Sequence, residues 1–199
     1  MLNHLKQYDI ILGSQSPRRK ELLSGLDLPF VQKVMPDIVE EYPAELPLTE
    51  VPLYLAQTKA EAYRAKGLMQ ENTLLITADT VVIVEDMILG KPQDKEDAHR
   101  MLRTLSGQTH QVVTGVCISL LSGKKAFSCS SMVTFAQLSD EEIDYYLHRY
   151  RPYDKAGSYG IQEWIGYIAI QRVEGSFYNV MGLPVHLLYN ELKAFGKSN

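Results

Sequence analysis

The sequence predicts an α/β protein built on a mixed sheet, and three patterns carry that expectation. Helical spacings alternate with short apolar runs of buried-strand type; two longer runs flank a Ser-Gly turn; and no segment repeats. Residues 8–12 read as a short buried strand, and residues 17–24 as a helix that starts on Pro17 behind Ser16 and ends at Gly25. Residues 30–34 form a second candidate strand. Pro36, Pro43 and Pro47 break residues 35–52, which read as a mobile acidic loop. In residues 51–66, Leu55, Ala56, Ala60 and Tyr63 recur at three- and four-residue steps, a helix that Gly67 closes. Residues 73–77 are an apolar strand ending on Ala78-Asp79-Thr80, while residues 81–84 and 87–89 flank a Glu85-Asp86 turn and predict a hairpin. After Gly90-Lys91-Pro92, Asp94 caps a helix to about Leu105, with Ala98, Met101, Leu102 and Leu105 on one face. Residues 110–121 and 125–137 are paired antiparallel strands joined at Ser122-Gly123, and Ser139-Asp140-Glu141-Glu142 opens another helix. Residues 165–172 and 177–181 read as strands turned by Glu174-Gly175. The chain closes on a helix beginning near Pro184 and carrying Leu187, Leu188, Leu192 and Phe195.

A chain of 199 residues buries roughly 70% of its unfolded surface, enough for a core without metal or disulfide staples. One domain over residues 1–199, with two lobes, is the expected organisation. The composition is 45% hydrophobic and 22% charged with a net charge of -4, which argues against binding a nucleic-acid polymer. Any polyanion it binds is therefore small and held locally. Residues 1–11 lack the apolar run of a signal peptide, and residues 112–121, the most apolar stretch, are about half the length of a membrane span. The expected setting is cytoplasmic, with no membrane partner. Cys117 and Cys129 sit inside strand-like runs without metal-ligand spacing and are expected to be packed, reduced thiols.

The sharpest chemical signal is Leu12-Gly13-Ser14-Gln15-Ser16-Pro17-Arg18-Arg19, where a strand runs into a helix with two arginines in its first turn. A helix N-terminus carries partial positive charge, so arginines there are penalised unless an anion lies between them. Exposed N–H groups after Ser16 and two forked guanidiniums would cradle a di- or triphosphate, although the same residues also make an ordinary capped helix with solvated arginines. Asp79 is expected at the C-terminal end of its strand, where a carboxylate can hold a divalent cation or take a proton from water, or simply cap a turn. Thr80 is a ligand contact or a strand starter. Lys59 falls on or beside the apolar stripe of its helix, so it either snorkels to water or points into a cleft. Lys91, held between Gly90 and Pro92, could present its ammonium to a phosphate or be an ordinary loop lysine, and Glu40 and Glu41 lie in the acidic loop, where carboxylates are mostly solvated. The five histidines show no zinc spacing, and neither a P-loop nor a GxGxxG turn is present.

Taken in order, Ser14-Gln15-Ser16-Pro17-Arg18-Arg19, Ala78-Asp79-Thr80-Val81-Val82, Lys91-Pro92, Leu105-Ser106-Gly107 and Asp154-Lys155-Ala156-Gly157-Ser158-Tyr159-Gly160-Ile161-Gln162 resemble the Maf family of nucleoside triphosphate pyrophosphatases. The resemblance runs from about Ile10 to Leu188. Gly160-Ile161-Gln162 and Gly175-Ser176-Phe177-Tyr178-Asn179 resemble the branch acting on dTTP and UTP rather than the one acting on 7-methyl-GTP. Gly13 departs from the family's more frequent alanine and is expected to loosen the turn. The resemblance implies a mixed, elongated sheet of the Maf and inosine triphosphate pyrophosphatase type, flanked by helices, with two lobes around a central cleft. It implies cleavage of a nucleoside triphosphate, with modified pyrimidine nucleotides among the candidates, to the monophosphate and pyrophosphate. Asp79 would be the proton acceptor; Arg18, Thr80 and Gln162 would set specificity; Ser14, Arg18, Arg19, Lys59 and Lys91 would line the phosphate channel. Glu41 and Asp79 would hold a divalent cation, Mg²⁺ first and Mn²⁺ or Co²⁺ as alternatives, in a homodimer.

A Gln162 carboxamide can accept from N3–H and donate to O4 of uracil or thymine, but flipped it also matches cytosine. Fixed backbone groups near Tyr159 to Ile161 are expected to supply the remaining discrimination. Competing expectations are a relative preferring 7-methyl-GTP or inosine triphosphate, and a nucleotide-binding regulator of cell division, as the family's septum-related name suggests.

Overall fold

The computed structural model describes residues 2–36 and 38–195, and over these the strands form one seven-stranded mixed sheet. The strands are β1 (Asp9–Leu12), β2 (Val31–Gln32), β3 (Thr73–Val84), β4 (Met87–Leu89), β5 (Thr109–Leu120), β6 (Gly123–Phe135) and β7 (Ile170–Glu174). Their order is β2-β1-β3-β5-β6-β7, with β4 paired to β3. The helices are α1 (Pro17–Ser24), α2 (Val51–Ala65), α3 (Lys95–Leu105), α4 (Asp140–Tyr150), α5 (Trp164–Ala169), α6 (Phe177–Met181) and α7 (Val185–Ala194). The predicted α/β class is therefore found. No helix among the described residues is long and apolar enough to cross a membrane, and neither cysteine is in a disulfide.

The chain divides into two compact units: residues 1–79, 114–129 and 182–199 form the first, and residues 80–113 and 130–181 the second. In the first unit β1 runs parallel to β2 and to the start of β3, in register Asp9 with Thr73 through Leu12 with Ile76. Helix α2 packs Ala56, Ala60 and Tyr63 against Leu75 and Cys117, and its first turn lies so close to β5 that a Cβ on Gly115 would come within 2.3 Å of the Leu53 nitrogen. Thr77, fully buried, donates its hydroxyl to the Ala56 carbonyl at 2.7 Å, tying β3 to the middle of α2 three residues before Lys59. In the second unit β3 and β4 form the predicted hairpin, and Glu85 and Asp86 both take positive φ (48° and 58°), as a two-residue turn of this hand requires. Asp94 caps α3 by accepting from the Asp97 N–H at 2.8 Å, and Ser139 and Glu142 form a reciprocal capping box on α4.

Five expectations are corrected. The strand expected to stop before Asp79 continues through it to Val84, because Ala78-Asp79-Thr80 keeps the extended backbone, so Asp79 lies mid-strand. Residues 30–34 pair only over Val31–Gln32, and the β5–β6 link is Leu121-Ser122, with Gly123 already in β6. The predicted strand over 165–172 is a helix followed by a short strand. Ile165 and Ala169, four apart, are buried while Tyr167 between them is 85% exposed, and α5 closes over Ile161, whose carbonyl oxygen would lie 1.8 Å from a Cβ on Gly166. The predicted strand over 177–181 is also a helix: Ser176 accepts from the Asn179 N–H at 3.3 Å, a cap that competes successfully with the strand propensity of Phe177 and Tyr178.

Candidate active site

Asp79 is 9% exposed in the middle of β3, a costly place for a carboxylate without a partner. Its partner comes from α2: the Lys59 ammonium donates to Asp79 Oδ1 at 2.6 Å and pairs with Glu40 Oε1 at 2.9 Å. Lys59 thus points inward to two carboxylates rather than snorkelling to water. On the neighbouring helix, Arg19 donates from Nε to the Gly182 carbonyl at 2.8 Å and from Nη1 to the Ala78 carbonyl at 2.9 Å, with Ser14 Oγ at 3.4 Å. Burial lowers the Arg19 pKa, and the nearby Asp79 and Glu40 charges act in the opposite direction. The guanidinium is thereby held rigidly one residue from Asp79, because its anchor on β3 is Ala78 itself.

The helix start is arranged differently from the sequence expectation. The Ser16 N–H goes to Ser14 Oγ at 3.2 Å, the Arg19 N–H to Ser16 Oγ at 3.4 Å, and Pro17 has none. The groups available for an anion here are side-chain cations more than helix backbone. Ser14 is further fixed through its carbonyl, which accepts from Gln32 at 2.7 Å. Gly13 does not loosen this turn. A Cβ there would stand 2.9 Å from Thr77 and 3.2 Å from both Leu75 and Tyr63, so the missing side chain is what lets β1, β3 and α2 close.

The structure thus brings Ser14, Arg19, Lys59 and Asp79 together, with half-buried Arg18 next in sequence to Arg19. Glu41 is exposed, and it is Glu40 whose carboxylate reaches Lys59. Among the described residues no three His, Cys, Asp or Glu side chains converge as a ready-made metal cage.

Thr80, Lys91 and Gln162 belong to the second unit. Thr80 is half-buried in β3 with its side chain on the face opposite that of Asp79. Lys91 is exposed beside Gly90, whose carbonyl accepts from the Gly157 N–H at 3.0 Å. Gln162 carries a buried carboxamide oxygen with no hydrogen-bond partner, an acceptor awaiting a donor. The Gly160 carbonyl accepts from the Glu163 N–H at 2.9 Å, so Ile161 and Gln162 are the central residues of a turn. Next to it, buried His110 shares a 2.7 Å hydrogen bond with the Tyr159 hydroxyl, and both rings stand edge-on to Phe135. Burial holds His110 neutral down to about pH 4 and pushes the Tyr159 phenol up.

Sequence reasoning missed Glu40 as a partner of Lys59, missed Tyr146 and Glu163 entirely, and quoted Lys155 within a motif without giving it a role. Glu40 differs from Glu41 only by which way an irregular segment turns. Tyr146 shares the spacing of Ile143 and Leu147, which reads as core.

Residues 9–195 match the Maf-like protein family. The chain is 80% identical over 199 residues to a protein of Porphyromonas gingivalis named dTTP/UTP pyrophosphatase, covering all of both chains. It is 57% identical over 195 residues to a Parabacteroides distasonis protein of the same name (98% of this chain, 100% of the other), and 55% identical over 193 residues to one of Phocaeicola vulgatus (97% and 99%). A family match over nearly the whole sequence, joined to relatives that are similar from end to end, shows that the chain belongs to the Maf-like protein family.

Proposed function

We propose that this protein hydrolyses dTTP and UTP at the anhydride bond between the α and β phosphates, releasing the nucleoside monophosphate and pyrophosphate. One observation carries the reading: a buried carboxylate, Asp79, stands mid-strand between the Lys59 ammonium and the field of Arg19. The names of the full-length relatives support the same substrates.

The barrier to cleaving a phosphoanhydride is dominated by phosphate charge, so fixed cations and positioning are the main levers. Arg18, Arg19, Ser14, Lys59 and Lys91 take the triphosphate, and the anchoring of Arg19 by two backbone carbonyls means its orientation is set before substrate arrives. Lys59 holds one oxygen of Asp79, which leaves the carboxylate's other side to orient water and receive its proton as the anhydride bond breaks. Such a base contributes about 10² to 10⁴ in rate. Asp79 with the Glu40-Glu41 pair offers hard oxygen donors that suit Mg²⁺, which is typically bound by one or two carboxylates plus substrate phosphates; Mn²⁺ and Co²⁺ are the alternatives. Bound there, the cation would neutralise phosphate charge. For the base, the unpartnered Gln162 oxygen accepts from N3–H of uracil or thymine, and Arg18 and Thr80 complete the selection. The thymine methyl is worth only about 1–3 kcal/mol, so both nucleotides are substrates. Copies of the chain pair as a homodimer, a reading that rests on the family resemblance.

The test is pyrophosphate release from UTP and CTP by wild type, Gln162→Ala, Glu40→Gln and Glu41→Gln over a Mg²⁺ titration. Gln162→Ala is expected to shrink the preference for UTP over CTP. Glu40→Gln is expected to raise the Mg²⁺ requirement about tenfold and Glu41→Gln less. An unchanged UTP preference in Gln162→Ala rules out the base reading.

A further inference from the structure

The segment that carries Gln162 is held by a network of hydrogen bonds and ion pairs. The Tyr146 side chain, fully buried on α4, donates its hydroxyl to Glu163 Oε2 and accepts from the Gly160 N–H at 3.0 Å. One phenol therefore grips both ends of the Gly160–Glu163 turn, with Gln162 between its two attachment points. The other oxygen of Glu163, Oε1, pairs with the Lys155 ammonium at 3.1 Å, and Lys155, only 7% exposed, is also paired with Asp154 at 2.8 Å. The packing leaves no slack: a Cβ on Gly160 would fall 2.9 Å from Glu163 Cδ and 3.1 Å from Lys155 Cε. On the far side, the carbonyl of Ile161 is pressed against Gly166.

We infer that Tyr146, Glu163 and Lys155 form a clamp that sets nucleobase selectivity by fixing the turn on which Gln162 stands. The inference rests on the proposed role of Gln162 as the base reader. A carboxamide matches uracil in one orientation and cytosine in the flipped one, so selectivity requires that its backbone be unable to shift and accommodate the second. A buried lysine is a costly group to keep, and here its charge is turned onto the half-buried Glu163 carboxylate and through it onto the turn. The clamp also occupies the Gly160 N–H, so that group is not the backbone donor that reads the base. Tyr146, Glu163 and Lys155 are positioning residues that act through Gln162.

The experiment compares kcat/KM for UTP and CTP in wild type, Tyr146→Phe, Glu163→Gln, Glu163→Ala and Gln162→Ala, with thermal unfolding of each. Tyr146→Phe keeps the ring and removes only the grip. Its UTP-to-CTP ratio is expected to fall about tenfold, the scale of one lost hydrogen bond, with kcat for UTP changed less than the ratio. Glu163→Gln, which retains an acceptor for Tyr146, is expected to keep most of the selectivity that Glu163→Ala loses. These two variants decide the matter if Tyr146→Phe does not fold. A ratio that stays at the wild-type value while both substrates slow together would make the network merely structural and overturn the inference. If Gln162→Ala also leaves the ratio unchanged, the base reading fails with it; if Gln162→Ala lowers the ratio and the clamp variants do not, the clamp alone fails.

Discussion

In the first unit, ions face one another across a strand and two helices: Lys59 stands between Asp79 and Glu40, and Arg19 is pinned to the residue before Asp79. In the second unit the ions are turned inward, where Lys155 and Glu163 hold a turn, and the group presented is the neutral carboxamide of Gln162. Under the proposed function, the difference teaches that charge and neutral hydrogen bonding suit different parts of one nucleotide. Coulomb forces suit a triphosphate, whose charge is the same for every base, whereas a fixed neutral donor and acceptor pattern suits the base, which carries no charge to grip.

The strongest way to break this comparison is Lys59→Met. It leaves Asp79 and Glu40 facing each other without a cation, and turnover of UTP and CTP is expected to fall together by about 10² to 10³, with their ratio unchanged. Steady-state kinetics on both nucleotides check this; a ratio that moves would mean that Lys59 also takes part in choosing the base.

Next in size is an acid sensitivity that arises from His110 in the second unit. Burial lowers the His110 pKa from its ordinary 6.5 to about 4, so the unfolded chain binds a proton between these values that the folded chain refuses. The contribution is fully present above about pH 6.5 and is lost as pH falls toward 4, amounting to about 3 kcal/mol. Urea unfolding at pH 7 and pH 4.5 should show this loss in wild type, and a smaller one in His110→Gln, which can still bond Tyr159. Parallel curves for the two proteins would place the acid sensitivity elsewhere.

A smaller effect sharpens the account of the first unit. Gly13→Ala introduces a methyl 2.9 Å from Thr77 and is expected to destabilise the protein by about 1–3 kcal/mol, read as a lowered urea midpoint. A neutral or stabilising alanine would show that the β1 turn has slack.

What the sequence made legible follows the same division. The helices α1, α2, α3, α4 and α7 announce themselves by caps and spacing, and the charged site announces itself because Arg18, Arg19 and Lys59 sit where charge is unfavourable without a partner. The turn-level chemistry does not. Ile165, Tyr167, Phe177 and Tyr178 have strand-forming side chains, and only the Ser176 cap and the i, i+4 burial of Ile165 and Ala169 show that they lie in helices. Tyr146 reads as an ordinary core aromatic because its hydroxyl partners, Gly160 and Glu163, lie 14 and 17 residues away across an irregular segment. Asp79 was identified by its neighbours, but its mid-strand position was not, since nothing in Ala78-Asp79-Thr80 distinguishes a strand end from a strand that continues.

The most direct test of the central claim is pyrophosphate release from dTTP, UTP, CTP, 7-methyl-GTP and ITP with Mg²⁺, run on wild type beside Asp79→Asn. The expected result is turnover of dTTP and UTP above the other three, reduced about 10² to 10⁴-fold in Asp79→Asn with nucleotide binding retained. Nucleotide binding by wild type without pyrophosphate release, or full turnover in Asp79→Asn, would contradict it.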